Sequence, residues 1–225
     1  MKFRLLIIIL CAYAVCNATS AIGENCRTDK IFPTLDEIMA KVEDKYAESG
    51  FSAHFDQIST IKAMEITDTA SGKVFIKPPG MMRWEYEKPD KQIIISNNKK
   101  LWVYRPEDNQ VMIGKSPFFF GNGKGAGFLS DIKLIKQKFN IILEKEMADN
   151  SYILKLLPKD KTFDISVIYL SISKNSFNII QIITYNSYED KTLIDLKNIR
   201  FKQVIEDSMF SFKIPEGTDI LRLDE

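Results

Sequence analysis

The sequence predicts a mainly β fold, an antiparallel run of strands curled into one sheet with helices on its concave side. Three features lead there. Short apolar runs, each too brief for a typical helix, recur from Phe51 towards the C-terminus with turn residues between them. Within most runs apolar and polar side chains alternate, the period of a strand with one buried face. Before the series, and again midway through it, the apolar spacing changes to that of an amphipathic helix. A series of about ten antiparallel strands must curl or close. A curled sheet with helices over its hollow encloses an apolar space whose lining reads, in sequence, as core.

The elements follow in order. Lys2 and Arg4 give a basic start, Leu5 to Val15 an apolar stretch, and Ala18, Thr19 and Ser20 a small, polar end. This is the layout of a secretory signal peptide, with an apolar part too short to span a membrane. Cleavage after Ser20 or Ala21 fits, so residues 1–20 are expected to be a leader and 21–225 a single domain. Neither Cys16, preceded by Val15, nor Cys26, preceded by Asn25, makes a good lipidation site. After a polar stretch, Thr34 and Glu37 form a capping box that opens a helix with Leu35, Ile38, Met39, Val42 and Tyr46 on one face; Gly50 is expected to end it. Residues 51–66 alternate as a strand, and 67–71 (TDTAS) read as a turn.

The stretch Gly72 to Ile113 holds four or five strands divided by Pro78-Pro79-Gly80, Pro89-Asp90, Asn97-Asn98 and Pro106 to Asn109. Val74 and Ile76 share a face; so do Met82, Trp84 and Tyr86, opposite Met81, Arg83 and Glu85. Ile93 to Ile95 are apolar throughout, and Leu101 and Val103 oppose Trp102 and Tyr104. Residues 114–129, with Phe118, Phe119 and Phe120 followed by glycines at 121, 123, 125 and 127, read as a partly apolar loop. Ser130 is expected to cap a short helix carrying Ile132, Ile135 and Phe139. Five further strands follow, with turns at 149–150, 159–160, 174–175 and 189–190. Phe210, Phe212 and Ile214 suggest a last short strand, Pro215-Glu216-Gly217 a turn, and Ile220 and Leu221 the close.

Composition excludes several function classes. The chain is 45% apolar and 27% charged, ordinary for a globular protein. Its formal charge of +1 becomes −1 without Lys2 and Arg4, so nothing sequence-wide attracts nucleic acid. The lysines beside Leu101 and Trp102 are outward residues of an alternating strand. Beyond the leader only Cys26 remains, which precludes an internal disulfide. His54 is the one histidine, and no cysteine cluster accompanies it to hold a metal. A His54–Asp56 pair on one strand face is conceivable, but no Gly-x-Ser-x-Gly elbow supplies a nucleophile. The glycines at 121–127 lack the spacing of a phosphate loop or a dinucleotide fold. No catalytic residue, metal or cofactor is expected. What remains is a surplus of apolar material, including methionines at 39, 64, 81, 82, 112, 147 and 209, which suit either an adaptable greasy surface or a gap-filled core.

From Lys77-Pro78-Pro79-Gly80-Met81-Met82-Arg83-Trp84-Glu85-Tyr86, through Pro89-Asp90, to Ile94-Ile95-Ser96-Asn97-Asn98-Lys99-Lys100-Leu101-Trp102-Val103-Tyr104, the chain resembles the LolA family of periplasmic lipoprotein carriers. Phe51 to Gln57 resembles that family's first strand and Pro215 to Asp219 its ending, so the likeness covers essentially all of the chain after the leader. The resemblance implies an unclosed, strongly curved half-barrel with helices covering the concave side as a lid, in a monomeric periplasmic protein that is not an enzyme. It implies lipoprotein cargo held by its acyl chains, loading by an inner-membrane ABC-type release complex, and delivery to an outer-membrane acceptor. Lining of the acyl-chain cavity then falls to Ile38, Met39, Val42, Met82, Trp84, Ile94, Leu101 and Val103, with Phe118, Phe119 and Phe120 at the lid edge. The same fold would also serve a carrier of free glycolipid or other lipid, or a lipoprotein-sensing module. The family often places an arginine just before the motif proline, where it bonds to lid backbone. Pro78 stands at that position here, and alternation sets Arg83 on the face opposite Trp84, so that role does not transfer.

Overall fold

The computed structural model describes residues 33–47, 50–115, 127–148, 150–160 and 164–223. The expected leader, Cys26 and Phe118 to Phe120 lie outside them. Helix α1 (Leu35–Tyr46) starts where the capping box predicts: the Glu37 amide donates to Thr34 Oγ1, and the Glu37 carboxylate accepts from the Thr34 amide at 2.8 Å. It ends at Tyr46, short of Gly50, with Ala47 as its C-cap. Ile38, Met39, Val42 and Tyr46 are buried.

Twelve strands among the described residues form one mixed sheet. The first six are β1 (Phe51–Ile61), β2 (Ile66–Lys77), β3 (Met81–Lys88), β4 (Gln92–Ser96), β5 (Lys100–Arg105) and β6 (Gln110–Lys115). After a short helix α2 (Lys133–Lys138) come β7 (Phe139–Ala148), β8 (Ser151–Pro158), β9 (Ile165–Ser173), β10 (Ile179–Asn186) and β11 (Lys191–Phe201), then β12 (Asp219–Arg222). The spatial order is β12-β6-β5-β4-β3-β2-β1-β11-β10-β9-β8-β7. Two antiparallel meanders, β1–β6 and β7–β11, are thus zipped together by the pairing of β1 with β11. The curved sheet stays open, with β12 and β7 as its edges.

Four local expectations are corrected. Residues 67–71 are strand, not turn: β2 begins at Ile66, and the turn is Lys62 to Glu65, with Glu65 left-handed. The polar TDTAS segment pairs in register with β1, Thr67 opposite Thr60 and Ala70 opposite Gln57, beyond the reach of the core. It is polar because that end of the hairpin is solvated. Ser130 caps no helix; its hydroxyl donates to the Gly127 carbonyl inside a buried 3-10 turn, Gly127–Ser130, and Ile132 occupies the α2 N-cap. Phe210 to Ile214 form no strand. Phe210 closes a 3-10 turn, Asp207–Phe210, while Phe212 and Ile214 pack on the outer face against Ile95, Trp102, Val111 and Tyr104. The sheet is not wholly antiparallel either, because β12 pairs parallel with β6.

That outer cluster explains why Ile93 to Ile95 are apolar on both faces. The segment after β11 crosses the outside of the first meander. It is held there by Lys77 Nζ donating to the Ile205 carbonyl at 2.9 Å, Arg83 to the Met209 carbonyl at 3.2 Å and Asn97 Nδ2 to the Phe210 carbonyl at 3.4 Å. Tyr104 and Phe212 rings sit 5.0 Å apart.

Gly72 is a fixed point of the first meander. The β2–β3 register shifts between Ser71 and Gly72, and a Cβ there would run into the Glu85 carbonyl oxygen and crowd the Phe55 ring. Replacing Gly72 by Ala forces main chain apart in a packed sheet. We expect a loss of about 1–3 kcal/mol, the range of core overpacking, read as a lower urea midpoint at unchanged slope.

Candidate functional site

The strand register arranges the concave face in transverse rows. In the first, Phe51, Ile76, Met82, Ser96, Leu101 and Gly114 lie side by side from β1 to β6. The second holds Ala53, Val74, Trp84, Ile94, Val103 and Met112. The third begins Phe55, Gly72, Tyr86 and Gln92, and ends with Arg105 opposite Gln110. Side chains in these rows share one face because every step between them along a strand is two residues. The odd-numbered positions of β5 and the even-numbered positions of β3 and β4 point inward together.

All eight residues expected to line a cavity belong to one continuous apolar cluster. Met82, Trp84, Ile94, Leu101 and Val103 come from the first two rows, and Ile38, Met39 and Val42 reach them from α1. None is more than 9% exposed. The cluster is larger than the sequence reading proposed. It takes in Leu129, Ile132 and Ile135 around α2, and from the second meander Leu154, Leu170, Ile182, Ile194 and Leu196. Buried residues recur at every second position in β9, at 168, 170 and 172, a pattern that marks the inward face, whereas in β10 a register shift spaces Ile179 and Ile182 by three. Phe55 meets Trp84 and Tyr86 edge-on, at 4.9 Å in each case.

Helix α1 is fastened unevenly. At its C-terminal end the Tyr46 ring packs edge-on against Phe51 and Phe201 at 5.3 and 5.0 Å, and its hydroxyl oxygen accepts from the Ile179 amide at 2.8 Å. Burial pushes the Tyr46 phenol upward, so it stays protonated. Lys45 Nζ donates to the Ser176 carbonyl at 2.6 Å, and Glu43 pairs with Lys136 of α2 at 2.9 Å. The N-terminal half, carrying Ile38 and Met39, is held by apolar contact. The Gly80 amide donates to the Ser130 carbonyl at 2.8 Å, so the turn after Pro78 and Pro79 is tied by main chain to the segment leading into α2. Gly80 has φ +73, and a Cβ on it would strike Asn98. Arg83 lies outside, bonded to Glu85 at 2.5 Å and to the Met209 carbonyl, as alternation predicts.

The conceivable His54–Asp56 pair is not made among the described residues. Asp56 pairs with Lys197 at 2.6 Å rather than with His54. No group of three histidine, cysteine, aspartate or glutamate side chains there could hold a metal, and no described helix is long and apolar enough to cross a membrane. The site is an apolar interior between a sheet and a short helix.

Residues 47–213 match the family model described as outer membrane lipoprotein carrier protein LolA. Helix α1 and the Pro215 to Asp219 ending fall outside that span. An outer-membrane lipoprotein carrier protein from Azotobacter vinelandii is 28% identical over 171 residues, 76% of this chain and 81% of the relative. One from Nitrosomonas europaea is 26% identical over 172 residues, 76% and 82% of the two chains. Among solved structures, an uncharacterized conserved protein from Thermus thermophilus superposes with a TM-score of 0.54 at 14% identity, covering 83% of this chain and 98% of its own. That likeness concerns the fold alone. On the strength of a family match running through both meanders, from the residue after α1 to the outer-face segment, this chain belongs to the LolA family of outer membrane lipoprotein carrier proteins.

Proposed function

We propose that the protein is a periplasmic carrier that takes the acyl chains of lipoproteins between α1 and the concave face of the sheet, without catalysing a reaction. Family membership supports this reading. The observation that carries it is the apolar cluster itself, in which Ile38, Met39 and Val42 of α1 and Leu129, Ile132 and Ile135 around α2 join the inward residues of the first two rows. In the proposed cycle an inner-membrane ABC-type complex loads the carrier and an outer-membrane acceptor unloads it. The eight residues of the cluster named from sequence form the acyl-chain site.

Magnitudes make the exchange reasonable. Burying an aliphatic side chain contributes about 1.5–3 kcal/mol, so Ile38, Met39 and Val42 together hold α1 down by roughly 5–9 kcal/mol before ordering costs. An acyl chain contributes about 0.8 kcal/mol per methylene buried, so one chain of roughly fifteen carbons offers about 12 kcal/mol gross. Helix and cargo therefore compete for the same surface on comparable terms. With the Tyr46 end fastened, the apolar N-terminal half is the part that lifts.

Two outcomes are expected. Native mass spectrometry of the mature protein taken from its own periplasm should show bound triacylated lipoprotein; free lipid alone would point to a lipid carrier, and no apolar ligand would refute both. Val42→Ala keeps helix propensity but loosens the closed state. It should lower thermal stability by about 1–3 kcal/mol and tighten binding of a synthetic triacylated lipopeptide several-fold, since less closure must be undone. Weaker binding together with lower stability would contradict competition between helix and cargo.

A further inference from the structure

The third row of the concave face turns polar, and a cavity of about 460 Å³ opens there, lined by Gln57, Tyr86, Pro89, Gln92, Arg105 and neighbouring charged residues of the β3–β4 and β5–β6 turns. Its wall is continuous with the apolar interior. Tyr86 and Gln57 follow Trp84 and Phe55 on the same face, and Tyr86 packs against both the Phe55 ring and the apolar cluster. Resting on the function proposed above, we propose that this cavity seats the polar head of the cargo: the ester- and amide-bearing diacylglyceryl-cysteine and the first peptide bonds, while the acyl chains lie in the two apolar rows beyond it.

The chemistry of the wall favours such a head over the phosphate of a phospholipid. Lys91 and Arg105 supply two positive charges and Asp90, Glu107 and Asp108 three negative ones, so the formal balance is −1. An anionic phosphate would be repelled by that surplus, whereas uncharged esters and amides are not. Side-chain amides suit peptide groups, because each carries both donor and acceptor. The Gln57 carbonyl accepts from the Tyr86 hydroxyl at 3.0 Å, and its amide donates to Ser59 at 3.0 Å, which fixes its orientation. Gln92 accepts from Arg105 Nε at 3.2 Å, and its amide nitrogen has no partner among the described residues. Lys91 and Glu107 likewise make no hydrogen bond or ion pair there. Burial pushes the Tyr86 phenol up to about 12, so at neutral pH it is a donor and not a charge. Donors and acceptors thus stand at the end of a greasy face where an acylated peptide changes from hydrocarbon to amide.

The test compares two probes with two palmitoyl chains each, a synthetic dipalmitoylglyceryl-cysteinyl-seryl lipopeptide and dipalmitoylphosphatidylglycerol, binding to the mature protein by Trp fluorescence. The natural chain should prefer the lipopeptide at least tenfold, and the double variant Gln57→Leu with Gln92→Leu should reduce that preference about tenfold. Should the variant not fold, a photoreactive benzoylphenylalanine in place of the exposed Lys91 gives a second readout. It should crosslink to the peptide part of bound lipopeptide. Lipopeptide binding with an unaltered preference in the variant, or with no peptide crosslink at position 91, overturns the cavity assignment and leaves the carrier function standing. A natural chain that prefers phosphatidylglycerol also overturns it. Failure of the natural chain to bind lipopeptide at all defeats both readings.

Discussion

Everything in this molecule depends on the register of the first meander. Because side chains alternate with period two, a slip of one residue in any of β3 to β5 would turn Met82, Trp84, Ile94, Leu101 or Val103 outward and put Arg83, Glu85, Ile93, Ile95 or Trp102 in their place. Several local devices hold the register. Gly72 lets β2 approach β3 where any Cβ would meet the Glu85 carbonyl. The side chain of Asn97 accepts from the amides of Lys99 and Lys100, at 3.0 and 2.9 Å, and sets the β4–β5 turn. Glu65 in the left-handed region closes the β1–β2 hairpin. Each device acts at a turn or a bulge, where register is decided.

The two faces of that meander are covered in different ways. Outside, the segment after β11 is bound by side chains from the first meander, through Lys77, Arg83 and Asn97, and by apolar packing of Phe212 and Ile214. The chain then joins the sheet as β12. Inside, the N-terminal half of α1 lies over the sheet through apolar contact, which an acyl chain can replace in kind. Hydrogen bonds are directional and costly to leave unmade, whereas apolar contact is interchangeable between partners. A strapped outer face therefore keeps the strands in place under the proposed exchange of the inner cover.

Much of this was legible in the sequence because it rests on local patterns. The capping box at Thr34 and Glu37, the helical stripe of Ile38, Met39 and Val42, and the alternation through β3 and β5 all involve neighbours in the chain, and all appear where expected. The errors fall where a segment's character is set by something distant. Residues 67–71 are polar because their end of the hairpin reaches past the core, which no local window reveals. Phe210, Phe212 and Ile214 alternate like a strand, yet Phe212 and Ile214 meet the outer face of β4 to β6 from far along the sequence and need no ladder of their own. The parallel pairing of β12 with β6 is likewise a long-range event without a turn signal. The candidate residues on β3 to β5 fall together in one apolar cluster because one alternation names a face. That β8 to β11 join the same cluster was not legible, because joining the meanders depends on β1 pairing with β11, a contact between the two ends of the domain.

The same register that collects the apolar residues also decides where they stop. Along β1 the inward side chains run Phe51, Ala53, Phe55 and then Gln57; along β3, Met82, Trp84 and then Tyr86; β4 runs in the opposite direction and begins with Gln92 before Ile94; β5 ends in Arg105. Four strands change from apolar to polar at neighbouring positions, although their sequences are unrelated and one of them runs the other way. Gln92 opens β4 and Arg105 closes β5, so the change falls where paired strands leave the interior together at one rim. The proposed guest, with a hydrocarbon end and a polar end, fits such a boundary. The alignment of that change, more than the apolar content of the rows behind it, gives the concave face a direction.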